Sequence, residues 1–289
     1  MSKIAQKQEL ERLKASEKAG KMNLHTHSFR CKHATGDIDD YTKCAEEAGL
    51  RILGFSDHTP LPDGRWDYIR MNLEEFKEYD QAISLAQSNY PQMRILKGLE
   101  CEYFPEYHPF YQDYILGECH FDYIIGSTHF FSWKNKWKTA YEVETPEQLK
   151  QYTDNLIKAM ESGLFLFMAH PDVFATAYLN WDANAQACSK DILEAAEALN
   201  VPLEINGLGF RRSPVGLIGE KRYPYPLASF WELAAQYNIS VFCNSDAHNP
   251  EDVGKNIQDA INIAEALKIP LKDLDARLAE ITSTQSSAT

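Results

Sequence analysis

Seven of the nine histidines sit in short motifs: His25, His27 and His33 in "MNLHTHSFRCKH", His58 in "SDH", His129 in "GSTH", His170 in "AHP" and His248 in "SDAH". Glu100 closes "GLE", and Asp57 and Asp246 stand beside two of the histidines. A lone histidine in such a place is more often a satisfied structural residue than a ligand. Seven mixed with three carboxylates are different, because packed together they leave buried polar groups unsatisfied and like charges adjacent. A bound cation resolves both problems, taking imidazole and carboxylate as ligands and supplying the missing positive charge. One mononuclear site uses three or four protein ligands. The set here is too large for one ion and suits two or three, and its donors suit zinc, manganese or iron. Cys31 lies among these histidines without being demanded as a ligand, and His108 and His120 fall away from the motifs and receive no role.

The elements that must position these side chains can be read from apolar patterning. Short apolar runs recur at 22–25, 51–58, 94–104, 121–130, 164–170, 201–207 and 239–248. Near-continuous apolar character over a few residues fits strands buried on both faces of a parallel sheet. Amphipathic stretches alternate with them. "DIDDYTKCAEEAGL" (37–50) has carboxylates in its first turn and Gly49 at its end, and "TPEQLKQYTDNLIKAMESG" (145–163) opens on a capping-box pattern and stops at Gly163. No Gly/Ser-rich or Pro-rich linker breaks the alternation, which predicts one α/β domain of barrel type. The histidines and carboxylates then fall at strand ends, and in a barrel those ends converge on one mouth where active sites are built. Long loops are expected at 60–72 and 208–226, and a loop at the Trp-rich 133–137.

In order along the chain, "HTH" (25–27), "SDH" (56–58), "GLE" (98–100), "GSTH" (126–129), "AHP" (169–171) and "SDAH" (245–248) resemble the polymerase and histidinol phosphatase (PHP) superfamily. The longer strings "HTHSFRCKHATGDIDDYTKCAEEAGLRILGFSDHTPLP" and "SDAHNPEDVG" resemble its histidinol-phosphatase branch, over roughly residues 20–268. The resemblance implies a distorted (β/α)7 TIM-like barrel with a trinuclear centre of divalent or trivalent ions at the C-terminal ends of the strands. It implies one ion on His25, His27, Glu100 and Asp246, a second on Glu100, His129 and His170, and a third on His33, His58 and His248, with Glu100 shared by the first two. Asp57 would stand behind the site. The implied reaction is hydrolysis of L-histidinol phosphate to L-histidinol and phosphate, in the biosynthesis of histidine. Neighbouring ions lower the pKa of a bridging water and neutralise phosphoryl oxygens, so no covalent enzyme intermediate is needed. Glu100, Asp246 and His248 form the expected catalytic set, and the sequence does not choose between Asp246 and a nearby histidine as donor to the leaving oxygen.

A phosphate also wants a guanidinium fork. Arg211 and Arg212 in "NGLGFRRSP" follow the sixth apolar run, and an Asn-x-x-Gly pattern in the resembled branch puts Arg211 first; Arg65 and Arg70 rank behind them. The expected partner is a small phosphorylated substrate. A formal net charge of −13 argues against duplex nucleic acid and against an exonuclease's basic path. A PHP-type phosphatase or phosphodiesterase acting on nucleotides or another small ester is the competing enzyme reading. A metal-loaded binding module would normally have lost ligands, and none is missing. No long apolar segment or secretory signal is present, which points to the cytoplasm and to no membrane partner. The expected organisation is a helical extension over 1–20, the barrel over 21–280 and a polar tail over 281–289.

Overall fold

The structure is a computed structural model and describes residues 3–216 and 221–287. Its frame is a curled parallel sheet wrapped by helices. Strands β1 (Met22–Asn23), β2 (Ile52–Phe55), β3 (Arg94–Glu102) and β4 (Tyr123–Ser127) pair in sequence order, all parallel. A second parallel pair is formed by β7 (Leu203–Asn206) and β8 (Val241–Asn244). The apolar run 164–170 is not a regular strand. Its backbone nonetheless bonds both neighbours, with Ala169 N donating to Gly126 O at 2.8 Å and Glu204 N to Met168 O at 2.9 Å, so it joins the two arcs. The first and last strands meet just beyond their ends through a parallel bridge between Thr26 and Ala247.

Helices α2 (Ile38–Glu47), α3 (Leu73–Asn89), α4 (Pro146–Glu161), α5 (Ala183–Ala198), α6 (Ala228–Ala234) and α7 (Ile257–Leu267) follow strands of this frame. The expected capping box is present at Thr145/Gln148, and a second forms at Asp37/Asp40, where first-turn carboxylates were expected. Two apolar layers result from the two faces of each strand. The outer layer packs Leu53, Phe55, Ile95 and Leu99 under helix residues such as Tyr41, Ile83 and Leu156. The inner layer, with Leu24, Leu96, Tyr123, Phe167 and Phe242, fills the bottom of the curl and is capped by Leu274. Tyr123 crosses that interior to donate to Leu24 O at 2.7 Å. Glycine is required beneath its ring, since a Cβ at Gly54 or Gly98 would meet Tyr123 at 2.1 or 2.3 Å.

Two segments differ from the sequence expectation, the Trp-rich loop and the polar tail. The Trp-rich segment is an antiparallel hairpin, β5 (Phe130–Trp133) and β6 (Lys136–Thr139), turned by Lys134 and Asn135, both with positive φ as a tight hairpin turn requires. The chain beyond 280 continues as helix α8 (Leu274–Ser287), so the polar segment is helical through 287, with 288–289 outside the described residues. The N-terminal extension is helix α1 (Lys3–Ala19), anchored where Ser16 donates to Glu265 and Lys18 reaches Asp273 at 2.7 Å; residues 1–2 lie outside the described residues. The 208–226 loop is described except for 217–220 and opens with a 3₁₀ turn, Leu208–Arg211.

Candidate active site

Every histidine singled out from the sequence converges on the mouth of the curl. His25 and His27 follow β1, His58 follows β2, Glu100 lies within β3, His129 follows β4, His170 ends the 164–170 segment, and Asp246 and His248 follow β8. His33 arrives from the loop after β1, its ring 5.3 Å from His58 and 4.9 Å from His248. Two of these residues, His170 (φ 28°) and Asp246 (φ 50°), have left-handed backbone. Such strain costs on the order of 1–3 kcal/mol and persists where the surroundings over-determine it.

Glu100 is the centre of the arrangement. It is 1% exposed, and its two oxygens face different partners. Oε2 lies 3.4 Å from His25 Nε2, 3.4 Å from His27 Nε2 and 3.0 Å from His58 Nδ1. Oε1 lies 3.0 Å from His170 Nε2 and 3.6 Å from His129 Nε2. Asp246 Oδ1 lies 3.3 Å from His27 Nε2 and 3.5 Å from His25 Nε2, and those two imidazole nitrogens face each other at 3.1 Å. Glu100 Oε2 and Asp246 Oδ1 are buried without a properly directed hydrogen bond. Four donor atoms turned toward one point, two of them orphaned carboxylate oxygens, fit a cation. Ligand-sized groupings also form from His25, His170 and Asp246 and from His27, His58 and His248.

Burial and mutual charge set the protonation of this cluster. Burial pushes the Glu100 and Asp246 carboxyls up, but the surrounding imidazoles, His129 and His25 foremost at Glu100 and His25 at Asp246, hold both well below the usual range. Burial and the His248 ring bring His33 down to about 4; burial and the His27 ring bring His248 down to about 3. Both are therefore neutral at pH 7, the state a metal ligand needs. His25 is also penalised by burial, yet Asp246, Glu204 and Glu100 raise it well above the ordinary histidine value.

A ring of hydrogen bonds orients these groups, as the partners of metal-ligating histidines generally do. His25 Nδ1 sits 2.9 Å from Glu204 Oε1, and Glu204 also accepts from Asn206, Asn244 and the His170 backbone. His129 Nδ1 sits 2.7 Å from Glu102 Oε1. Asp57 accepts from the Ser28 backbone and hydroxyl, and its carboxylate also lies close to His27 and Cys31. The sequence analysis gives no role to Glu102 or Glu204, although strand periodicity carries a signal for the first: Glu102 is two residues from Glu100 and so shares its face. Cys31 is fully buried, and burial pushes its thiol up.

The two loop arginines differ in role. Arg211 donates to the carbonyls of Gly207, Ser245 and Asp246 and to Asn256 Oδ1, so its guanidinium braces the Asp246 turn from behind. Arg212 instead lines the cavity above the histidines. Consecutive residues at the end of a 3₁₀ turn project about a third of a turn apart, so the two guanidinium groups point in different directions. The cavity holds about 290 Å³ and is walled by Tyr68, Ile69 and Arg70 from the loop after β2, Phe130 and Thr139 from the hairpin, and Tyr141 and Leu208.

Residues 23–207 match the PHP domain, and residues 229–257 match the PHP-associated region. The chain belongs to the PHP family. Among its PHP relatives, a Deinococcus radiodurans protein named "Probable histidinol-phosphatase" is 30% identical over 84% of this chain and 92% of its own. A Schizosaccharomyces pombe protein of the same name is 26% identical over 81% and 83%. The fold is shared with the crystal structure of histidinol phosphate phosphatase from Lactococcus lactis complexed with zinc, L-histidinol and phosphate; the TM-score is 0.64 at 18% identity, over 86% of this chain and 92% of that one. This PHP protein is thus a histidinol-phosphatase-like phosphoric monoester hydrolase. Among the described residues, no helix is long and apolar enough to cross a membrane.

Proposed function

We propose that the protein is a metal-dependent phosphomonoesterase that hydrolyses L-histidinol phosphate to L-histidinol and phosphate. The observation that carries this reading is the division of Glu100, with one oxygen toward His25, His27 and His58 and the other toward His129 and His170. A carboxylate so divided suits a bridge between two ions, Asp246 completing the first ligand set. His33, His58 and His248 supply a third set, at the mouth of what we read as a distorted seven-stranded barrel. When bound, zinc, manganese or iron ions supply a water activated at neutral pH and neutralise charge at phosphorus.

The chain's own residues do the rest. Arg212 grips phosphoryl oxygens from the cavity wall, while Arg211 fixes the turn that carries Asp246. Asp246 and His248 border the cavity 3.4 Å apart; unprotonated at rest, this pair takes the proton that the attacking water loses and passes it to the leaving oxygen. Tyr68, Phe130 and Tyr141 offer planar apolar faces to an imidazole ring and exclude water from the reacting group. The names of the Deinococcus and fission-yeast relatives, and the ligands of the Lactococcus structure, support this choice of substrate.

The test is phosphate release from histidinol phosphate, a nucleotide panel and an aryl phosphate by protein purified with its metals retained. Turnover of histidinol phosphate well above the others is expected. Preference for nucleotides would transfer the assignment to that substrate class, and a metal content near one per chain would remove the three-ion scheme.

A further inference from the structure

Arg70 is 1% exposed and lines the cavity beside His58 and His129. The other buried arginines are neutralised: Arg30 by Asp37 and Glu78, Arg277 by Glu280. Arg70 is not. Among the described residues no carboxylate lies within ion-pair distance of it, and its guanidinium makes one hydrogen bond, from Nη1 to Thr59 O at 3.0 Å. Its Nε is buried without a partner, and its charge rests over the Trp66 ring at 5.3 Å. A buried guanidinium without a counter-charge is costly, because the desolvation penalty is not returned. The loop holds that charge in place at the edge of a cavity whose floor carries the Glu100 and Asp246 ligand cluster.

We infer that Arg70 is a substrate-binding residue whose missing counter-ion is an oxyanion, the phosphoryl group of the ester and the phosphate it becomes. The inference rests on the phosphatase reading above and adds a second guanidinium to Arg212, supplied by a different loop. Arg70 reaches the cavity from the loop between β2 and α3, stiffened by Trp66, which stacks on Phe130 of the hairpin at 4.1 Å. The Arg70 fork is thereby fixed before substrate arrives, and little side-chain freedom is lost on binding.

The experiment uses the metal-retaining enzyme, Arg70→Met to keep the apolar stem without the charge, and Arg70→Lys to keep the charge without the fork. Inorganic phosphate is the probe, as a competitive inhibitor and as a stabiliser in thermal melts. The expected result is that Arg70→Met raises the phosphate inhibition constant roughly ten- to a hundredfold, the worth of one charge-assisted contact. Arg70→Lys should recover part of that loss. Metal content should not change, the melting temperature without phosphate should hold or rise, and the phosphate-induced upshift should shrink. An unchanged inhibition constant would overturn the inference. So would a lowered melting temperature in both variants with phosphate affinity intact, which would assign Arg70 to bracing Thr59. If the wild-type protein releases no phosphate from any ester, the phosphatase reading fails instead, and the two failures are told apart.

Discussion

Replacing Glu100 by glutamine keeps the shape of the side chain and removes its charge from the middle of five imidazoles. Glu100 is 1% exposed, and its nearest imidazole nitrogens lie 3.0 Å away on each of its two oxygens, at His58 and His170. Two unit charges about 4 Å apart at an effective dielectric near 20 interact by about 4 kcal/mol. At about 1.4 kcal/mol per decade, this corresponds to on the order of a thousandfold in affinity for each ion that the carboxylate holds. The neutral amide oxygen still offers a lone pair, so this figure is the charge contribution rather than the loss of a ligand. Because both oxygens are engaged, two ions should weaken together, while the His33, His58 and His248 set keeps its own. The assay is elemental analysis of wild-type and Glu100→Gln protein dialysed against a graded series of chelator concentrations, with phosphate release measured on the same samples. Two ions should leave in step at far lower chelator concentration than in the wild type, and activity should follow them. Loss of a single ion, or wild-type retention of all of them, would refute the shared role of this carboxylate.

Other outcomes follow from the same geometry. Glu102→Gln should lower metal affinity or turnover by roughly 10- to 100-fold through its grip on His129, a range usual for such orienting groups, and a variant indistinguishable from wild type in metal titration would contradict this. Arg211→Ala should lower stability by about 2 kcal/mol in urea denaturation, since it strips donors from the turn that carries Asp246. Arg212→Ala should melt like the wild type and instead raise KM; the reverse pattern would return the phosphate-binding role to Arg211. Proton release should separate the ligand sets. His25 is raised well above the usual value and holds a proton at pH 7 in the metal-free protein, so filling its set must expel that proton and affinity there must climb with pH. His33 and His248, lowered to about 4 and about 3, are already neutral, and affinity at their set should be flat above about pH 4 as far as these two are concerned. Calorimetric metal titrations in buffers of different ionisation enthalpy measure this directly, and equal proton release from both sets would contradict it.

The candidate site residues were legible because most of them close or follow an apolar run short enough to be a buried strand, and parallel strands bring their ends to one side. His170 illustrates how far this reaches: it was placed correctly at the mouth although 164–170 forms only isolated bridges rather than a regular strand. What the sequence hid depends on side-chain direction in irregular backbone. Arg211 and Arg212 are adjacent and chemically identical, and only the 3₁₀ geometry of Leu208–Arg211 separates a brace from a cavity wall. Glu204 lies on β7, but its bond to His25 spans 179 positions and no local pattern encodes it. The segment 133–137 reads as a loop from its sequence because the hairpin's turn, Lys134-Asn135, lacks the glycine that usually announces one.

The junction between Thr26 and Ala247 joins the two ends of the frame by one bridge, and the ligands nearest it come from both sides. On a ribosome, His25 and His27 emerge about 220 residues before Asp246 and His248. A nascent or truncated polypeptide can offer metal only fragments of these ligand sets, and binding free energy that is also folding free energy is withheld until the end. If these residues hold the ions as proposed, metal uptake would double as a check that both ends of the frame have met.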